Sequence, residues 1–208
     1  MMGGWSNALF DGVLALTALW GAMRLYRLRA APGMMFGAAA LLAVFLAALS
    51  GTLRYGGIEA LAGANDALSL VSAIVSPSWV IGAVLLSFRG GQDMSRAIVI
   101  WAVPAVVAAL SFLPQTAMLG DAYAQVVGLG MLCVLVGAGV IAAIRGRAWA
   151  GAALAISAAG YALAALAMLG VFGGAETAAL DVFHIGIAIW AGTFAWGLPE
   201  TRRTAFAQ

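Results

Sequence analysis

Long apolar runs recur along this chain, parted by short breaks of glycine, proline and charge. Seven are read, at Asn7–Tyr26, Met34–Leu53, Ala67–Phe88, Met94–Leu113, Ala124–Ile144, Ala148–Phe172 and Ala178–Leu198. About 20 mainly apolar residues let a helix cross the hydrocarbon core of a bilayer. Backbone isolated in lipid must satisfy its own hydrogen bonds, which makes the α-helix the expected element. The breaks carry turn chemistry: "APG" after the first run, "YGG" after the second, "RGGQD" after the third and "RGR" after the fifth. Short alternating runs, the mark of a membrane barrel, are absent. The predicted fold is all-α, one domain over residues 1–208 built of seven transmembrane helices.

Composition turns this pattern into a statement about solvent. The chain is 64% hydrophobic and only 9% charged, where soluble domains carry roughly a quarter charged residues. Lipid is the medium that suits such a surface. All ten basic residues are arginines, and they are scattered between apolar runs, so the net charge of +2 does not point to a nucleic-acid partner. The expected partners are the bilayer and a lipid-like ligand. A single cysteine, Cys133, excludes an intramolecular disulfide framework and a cysteine metal cluster. The opening "MMGGWSNALF" lacks the basic region of a secretory signal and reads as part of a retained first helix.

Charge placement predicts orientation. With seven spans, Arg24, Arg27, Arg29, Arg89, Arg96, Arg145, Arg147, Arg202 and Arg203 fall on one side and Arg54 alone on the other. Positive loops stay in the cytoplasm. The N-terminus is therefore expected outside and the C-terminus inside, in the cytoplasmic membrane of a bacterium. Asp11, Glu59, Asp66, Asp121, Glu176 and Asp181 lie toward the outer ends, with Asp93 and Glu200 inside. Pro77 and Pro104 stand mid-span, where each removes a backbone hydrogen bond and is expected to kink its helix. Glycine-rich stretches, including Gly128, Gly130, Gly137 and Gly139 and the run "GAALAISAAG", predict close helix packing.

Ionisable groups at membrane spans are costly and mark candidate sites. Ser50 and Arg54 share a face at the end of the second run, being four residues apart. Asp66 opens the third, above Ser69, Ser72 and Ser76; Asp181 and His184, the only histidine, share a face of the seventh; Asp11 stands about one turn into the first. Taken singly, each has an ordinary structural role: Asp66 as a helix-start acid, Arg54 snorkelling or paired with Glu59, His184 as a hydrogen-bonded core residue.

Together, their order resembles the CREST superfamily of seven-helix membrane hydrolases, which includes alkaline ceramidases and the progestin and adiponectin receptors. The resemblance rests on Ser50-Gly-Thr-Leu-Arg54, on Asp66, and on "DVFH" ending at His184. It implies a seven-helix frame in which a Ser-x-x-x-His, an Asp and a His-x-x-x-His gather a zinc ion that hydrolyses a lipid amide. Ser50, Asp66 and His184 would be the catalytic positions, Ser50 stabilising an oxyanion and Asp66 orienting water. Two of the three zinc histidines are replaced here, by Arg54 and Ala188. A catalytic zinc takes three protein ligands, and guanidinium is a permanent cation. No cofactor is expected, and zinc enters only through His184. Arg54, Asp181 and Asp11 are then candidate ligand-binding residues, with Arg54 taking an anionic head through a bidentate contact.

Three functions compete on these residues. A binding pocket for a lipid or other amphiphile is favoured by the arginine substitution; a lipid amide hydrolase and a small-solute transporter or assembly partner are the alternatives. A retinal Schiff base is excluded by the lack of lysine, and bis-histidine haem by the single histidine. Transport across the bilayer asks for ionisable groups at mid-depth, and there the runs are nearly bare.

Overall fold

A computed structural model describes residues 2–89, 94–171 and 176–202. Asp93, Phe172 and Arg203 lie outside the described residues, as do the side chains of Arg96 and Glu176. The described residues form seven α-helices and no strand: α1 (Met2–Arg27), α2 (Met34–Tyr55), α3 (Ala62–Arg89), α4 (Met94–Leu110), α5 (Ala117–Ile144), α6 (Ala148–Met168) and α7 (Glu176–Glu200). A 3₁₀ turn, Glu59–Leu61, leads into α3. Six helices are long and apolar enough to cross a membrane; α4, with 17 residues, is the shorter one. At about 1.5 Å per residue it reaches roughly 25 Å.

The six long helices close a ring in the order α1, α2, α3, α5, α6, α7, and α7 returns to α1. α4 lies outside that ring, against α3 and α5. Neighbours do not simply alternate in direction. Ser78 of α3 shares a 2.9 Å hydrogen bond with Tyr123 of α5, and Arg145 at the end of α5 lies over Phe88 at the end of α3. These two helices therefore run parallel. So do α1 and α7, joined near their starts by Asp11 and His184 and near their ends by Arg24 and Glu200.

Apolar side chains fill the inside and also coat the outside. Trp190, Phe194, Leu25, Leu41, Met131, Leu135, Leu154 and Leu198 are fully buried, while Leu16, Val126, Leu129, Ile144 and Trp149 are widely exposed. A helix apolar all round suits a bilayer and not water. Between α6 and α7 the backbones nearly touch: a Cβ added to Gly160 would lie 2.7 Å from the Gly186 carbonyl oxygen, and one on Gly186 would lie 2.6 Å from that of Gly160. Gly139 and Gly151 make the matching approach between α5 and α6, whereas Gly137 faces open space. The glycine-rich stretches thus serve packing at some positions and the outer surface at others. Gly33, in the "APG" turn, takes φ +85 and tucks against Ala83 and Ser87 of α3, a seat that would not admit a Cβ.

Two local expectations change. α3 starts at Ala62, so Asn65 and Asp66 belong to its first turns and are not its cap. α5 starts at Ala117, seven residues before the predicted run at Ala124; Tyr123 gains Ser78 as a partner and the exposed Asp121 needs none. α3 and α4 continue as helix through Pro77 and Pro104. Pro77 still has no N–H to return to the carbonyl of Ala73.

The two ends of the bundle differ in charge. One end carries Arg24, Arg27, Arg29, Arg89, Arg145, Arg147 and Arg202, with Arg24 near Glu200 and Arg202 donating to the Pro32 carbonyl. The opposite end holds Asp11, Glu59, Asp66 and Asp181 with Arg54 and His184.

Candidate functional site

Four helices meet at the acidic end around one glycine. Gly51 of α2 has no side chain, and a Cβ there would overlap the carboxylate of Asp11 from α1 and approach Asn65 Oδ1 of α3 to 3.2 Å. The missing side chain is what seats Asp11 inside the bundle. From α7, His184 Nε2 lies 3.0 Å from Asp11 Oδ1, with both residues more than nine-tenths buried. On the other side of Gly51, Ser50 Oγ lies 2.7 Å from the Ala47 carbonyl and 3.1 Å from Asn65 Oδ1. Two polar pairs thus tie α1 to α7 and α2 to α3 at one level.

Burial makes these pairs costly to break. A carboxylate withdrawn from water loses several kcal/mol of hydration, roughly, which only a close partner offsets. In a neutral His184 the Nε2–H donates to Asp11, which fixes the tautomer. The other nitrogen, Nδ1, is buried without a hydrogen-bond partner, as are Asn7 Oδ1 one helical turn before Asp11 and Asp181 Oδ1 one turn before His184.

Arg54 and Asp66 stand apart from this cluster. Arg54 Nη1 and Asp66 Oδ1 are 2.8 Å apart, with side chains 30% and 69% exposed. The guanidinium also lies 5.4 Å from the Tyr55 ring. Although Ser50 and Arg54 share a helical face, the long arginine stem carries its charge to the rim while the short serine stays inside. Of the six residues singled out in the sequence, the structure joins Asp11 with His184 and Arg54 with Asp66. Ser50 joins Asn65, which the sequence did not single out, and Asp181 sits half-buried one turn from His184.

Below the cluster opens a cavity of about 390 Å³. Leu14, Val44, Phe183, Ile187 and Trp190 supply apolar wall, while Asp11, His184, Asn65 and the serines Ser69, Ser72 and Ser76 form a polar seam. Ser76 donates to the Ala40 carbonyl at 3.1 Å and lies 3.4 Å from Ser72. Tyr161 and Pro77 line the same space. Among the described residues, neither Arg54 nor any other arginine does.

The cavity has a side opening with a structural cause. The first turns of α5 pack at the level of Ile74, against Ser111. Toward the acidic end, α3 has no α5 beside it, and α3 and α6 share no packing interface. Ser69 and Ala73 from α3 and Ala165 and Met168 from α6 line the cavity and are also exposed.

The donor set is short for a metal. Among the described residues no three of His, Cys, Asp or Glu gather as ligands. Asp11 and His184 supply two donors, already spent on one another, and Ala188 one turn beyond His184 supplies none. This arrangement does not fit the three-ligand catalytic zinc of the resemblance.

No protein-family model, curated protein or solved structure matches the chain.

Proposed function

We propose that this integral membrane protein crosses the bilayer seven times, N-terminus outside, and holds an amphiphile in the cavity at the outer-leaflet end. The observation that carries the reading is a cavity of about 390 Å³ with apolar walls, a polar seam and exposed lining residues on α3 and α6. Its size suits a small ligand, since such pockets run from about 300 to 1,000 Å³. A tail enters between α3 and α6 and a polar head rests near Asp11, Asn65 and the serines. The CREST-like frame is retained in this reading as architecture, without the zinc. Arg54, held by Asp66 at the rim and absent from the cavity lining, is not the seat of an anionic head in this reading.

Binding is favoured over lipid hydrolysis by the state of His184. A general base needs a nitrogen within reach of the reacting proton, and Nδ1 is enclosed while Nε2 faces Asp11. Transport is disfavoured by the bundle beyond the cavity, where Leu25, Leu41, Phe194 and Leu198 are fully buried. For orientation, the arginine-rich end belongs in the cytoplasm. α4 supplies the seventh crossing, carrying the chain back between two parallel helices.

Two outcomes test this. Protein purified in mild detergent is expected to carry a bound amphiphile, detected by native mass spectrometry. Ala73→Phe, which fills the opening from an already exposed position, is expected to reduce its occupancy at least about tenfold. Unchanged occupancy would sink the reading. Separately, with Cys133 replaced by serine, a cysteine at Glu59 is expected to react with an impermeant maleimide added outside intact cells, and one at Gly146 is not. The reverse pattern would invert the topology.

A further inference from the structure

A crevice of about 270 Å³ lies at the arginine end, on the far side of the molecule's length from the cavity, lined by Trp20, Met23, Arg24, Arg27 and Leu28. Trp20, Met23, Arg24 and Arg27 follow a helical spacing of three and four, so they form one face of α1 in its last two turns, with Leu28 in the turn just after it. We infer that this crevice binds the phosphate-bearing head of an anionic phospholipid from the adjacent leaflet. The inference is independent of the cavity and its ligand.

The two arginines are held differently. Arg24 is anchored: its Nε donates to the Ala195 carbonyl at 3.2 Å and its Nη2 lies 3.6 Å from Glu200 Oε1. Its guanidinium carbon is 5.8 Å from the centre of the Trp20 ring. Arg27 is exposed, and among the described residues no ion pair or hydrogen bond engages its side chain. Being three residues apart, the two side chains are neighbours on the helix surface, with Cβ atoms roughly 5–6 Å apart. One phosphodiester fits between two such forks, each able to give paired N–H donors to its oxygens.

Opposing charges exist and are smaller. Glu200 offsets Arg24, and the last carbonyls of α1 carry the negative end of its helix dipole. Arg29 already covers part of that end, its Nη1 lying 3.4 Å from the Tyr26 carbonyl and its guanidinium 4.6 Å from the Tyr26 ring. Among the described residues no acidic side chain pairs with Arg27. Around it, Trp20, Met23 and Leu28 are each 41–48% exposed, giving the glycerol and upper acyl carbons apolar contact. Tryptophan at this depth suits the headgroup boundary, and basic pockets at helix ends select anionic heads.

The test uses the full chain in nanodiscs of mixed phosphatidylcholine and phosphatidylglycerol, washed in mild detergent and weighed by native mass spectrometry. Wild type is expected to retain phosphatidylglycerol over phosphatidylcholine, and Arg27→Gln to lose that enrichment about tenfold. Arg145→Gln removes the same charge at the same end but over Phe88, and is expected to change nothing. Equal loss in both variants, or none in Arg27→Gln, overturns the site. Soluble glycerol phosphate is expected not to displace the lipid; displacement at low millimolar concentration would make the ligand a free phosphate and overturn the lipid assignment.

Discussion

Leucine in place of Gly160 is expected to destabilise the protein by about 3 kcal/mol or more, read as loss of folded protein on denaturant titration in detergent. The neighbours of a Cβ at this position are the Gly186 carbonyl at 2.7 Å, the Trp190 nitrogen at 2.9 Å and Ile189 Cγ2 at 3.0 Å. Two of the three are backbone atoms and cannot rotate away. The helices would have to part, and parting them strains the bond from Ser157 to the Trp190 carbonyl, 3.0 Å long inside the interface. In lipid, contact between closely fitted helices supplies much of the association energy, because apolar transfer from water no longer contributes. Gly137→Leu is the control. Nothing lies within 4 Å of a Cβ there, so its effect is expected within about 0.5 kcal/mol. Equal losses at the two glycines would remove the argument that α6 and α7 depend on this contact.

The second large effect is expected at Asp11. Asp11→Ala removes the carboxylate that pairs with His184, itself 8% exposed, and opens space beside Gly51. Breaking a buried pair costs about 3–5 kcal/mol when both partners are charged, and about 1–3 kcal/mol when the orphan is neutral. A loss near 3 kcal/mol is expected by the same titration. The pairing itself is tested by a double-mutant cycle. In the Asp11→Ala background, His184→Ala is expected to cost far less than in the wild type, with a coupling of 1 kcal/mol or more, roughly. Additive losses would mean that each residue acts alone. Asp11→Asn keeps an acceptor oxygen and is expected to fall between.

Much of the architecture is readable in the chain because hydropathy acts locally. Six of the seven predicted runs became helices long enough to span, and the nine-to-one split of arginines foreshadows two ends of different charge. Boundaries were harder where polar residues stayed helical. Asp121 and Tyr123 read as a break, yet exposure of one and a hydroxyl partner for the other let α5 begin earlier. Partner choice was harder still. Glu59 is the near acid in sequence for Arg54, and only the packing of α2 on α3 brings it to Asp66 instead. Asp11 and His184 were both marked as costly polar groups, but 173 positions separate them and nothing local couples them. Asn65 was passed over because a residue near a helix start has an ordinary explanation. The signal that could have raised it is its place beside Ser-Gly in a bundle otherwise poor in side-chain amides.

The position of α4 has a consequence of parity. A chain that visits a ring of six helices in order, reversing at each step, returns with its last member antiparallel to its first. Here α7 and α1 run parallel, so one additional reversal is required, and α4 provides it outside the ring. Joining α3 directly to α5 would turn α5, α6 and α7 end for end. His184 would then sit at the opposite end of the bundle from Asp11, with the arginines of α5 and α7 brought to the acidic end. The shortest helix, which does not belong to the ring at all, thus decides whether the buried pair meets.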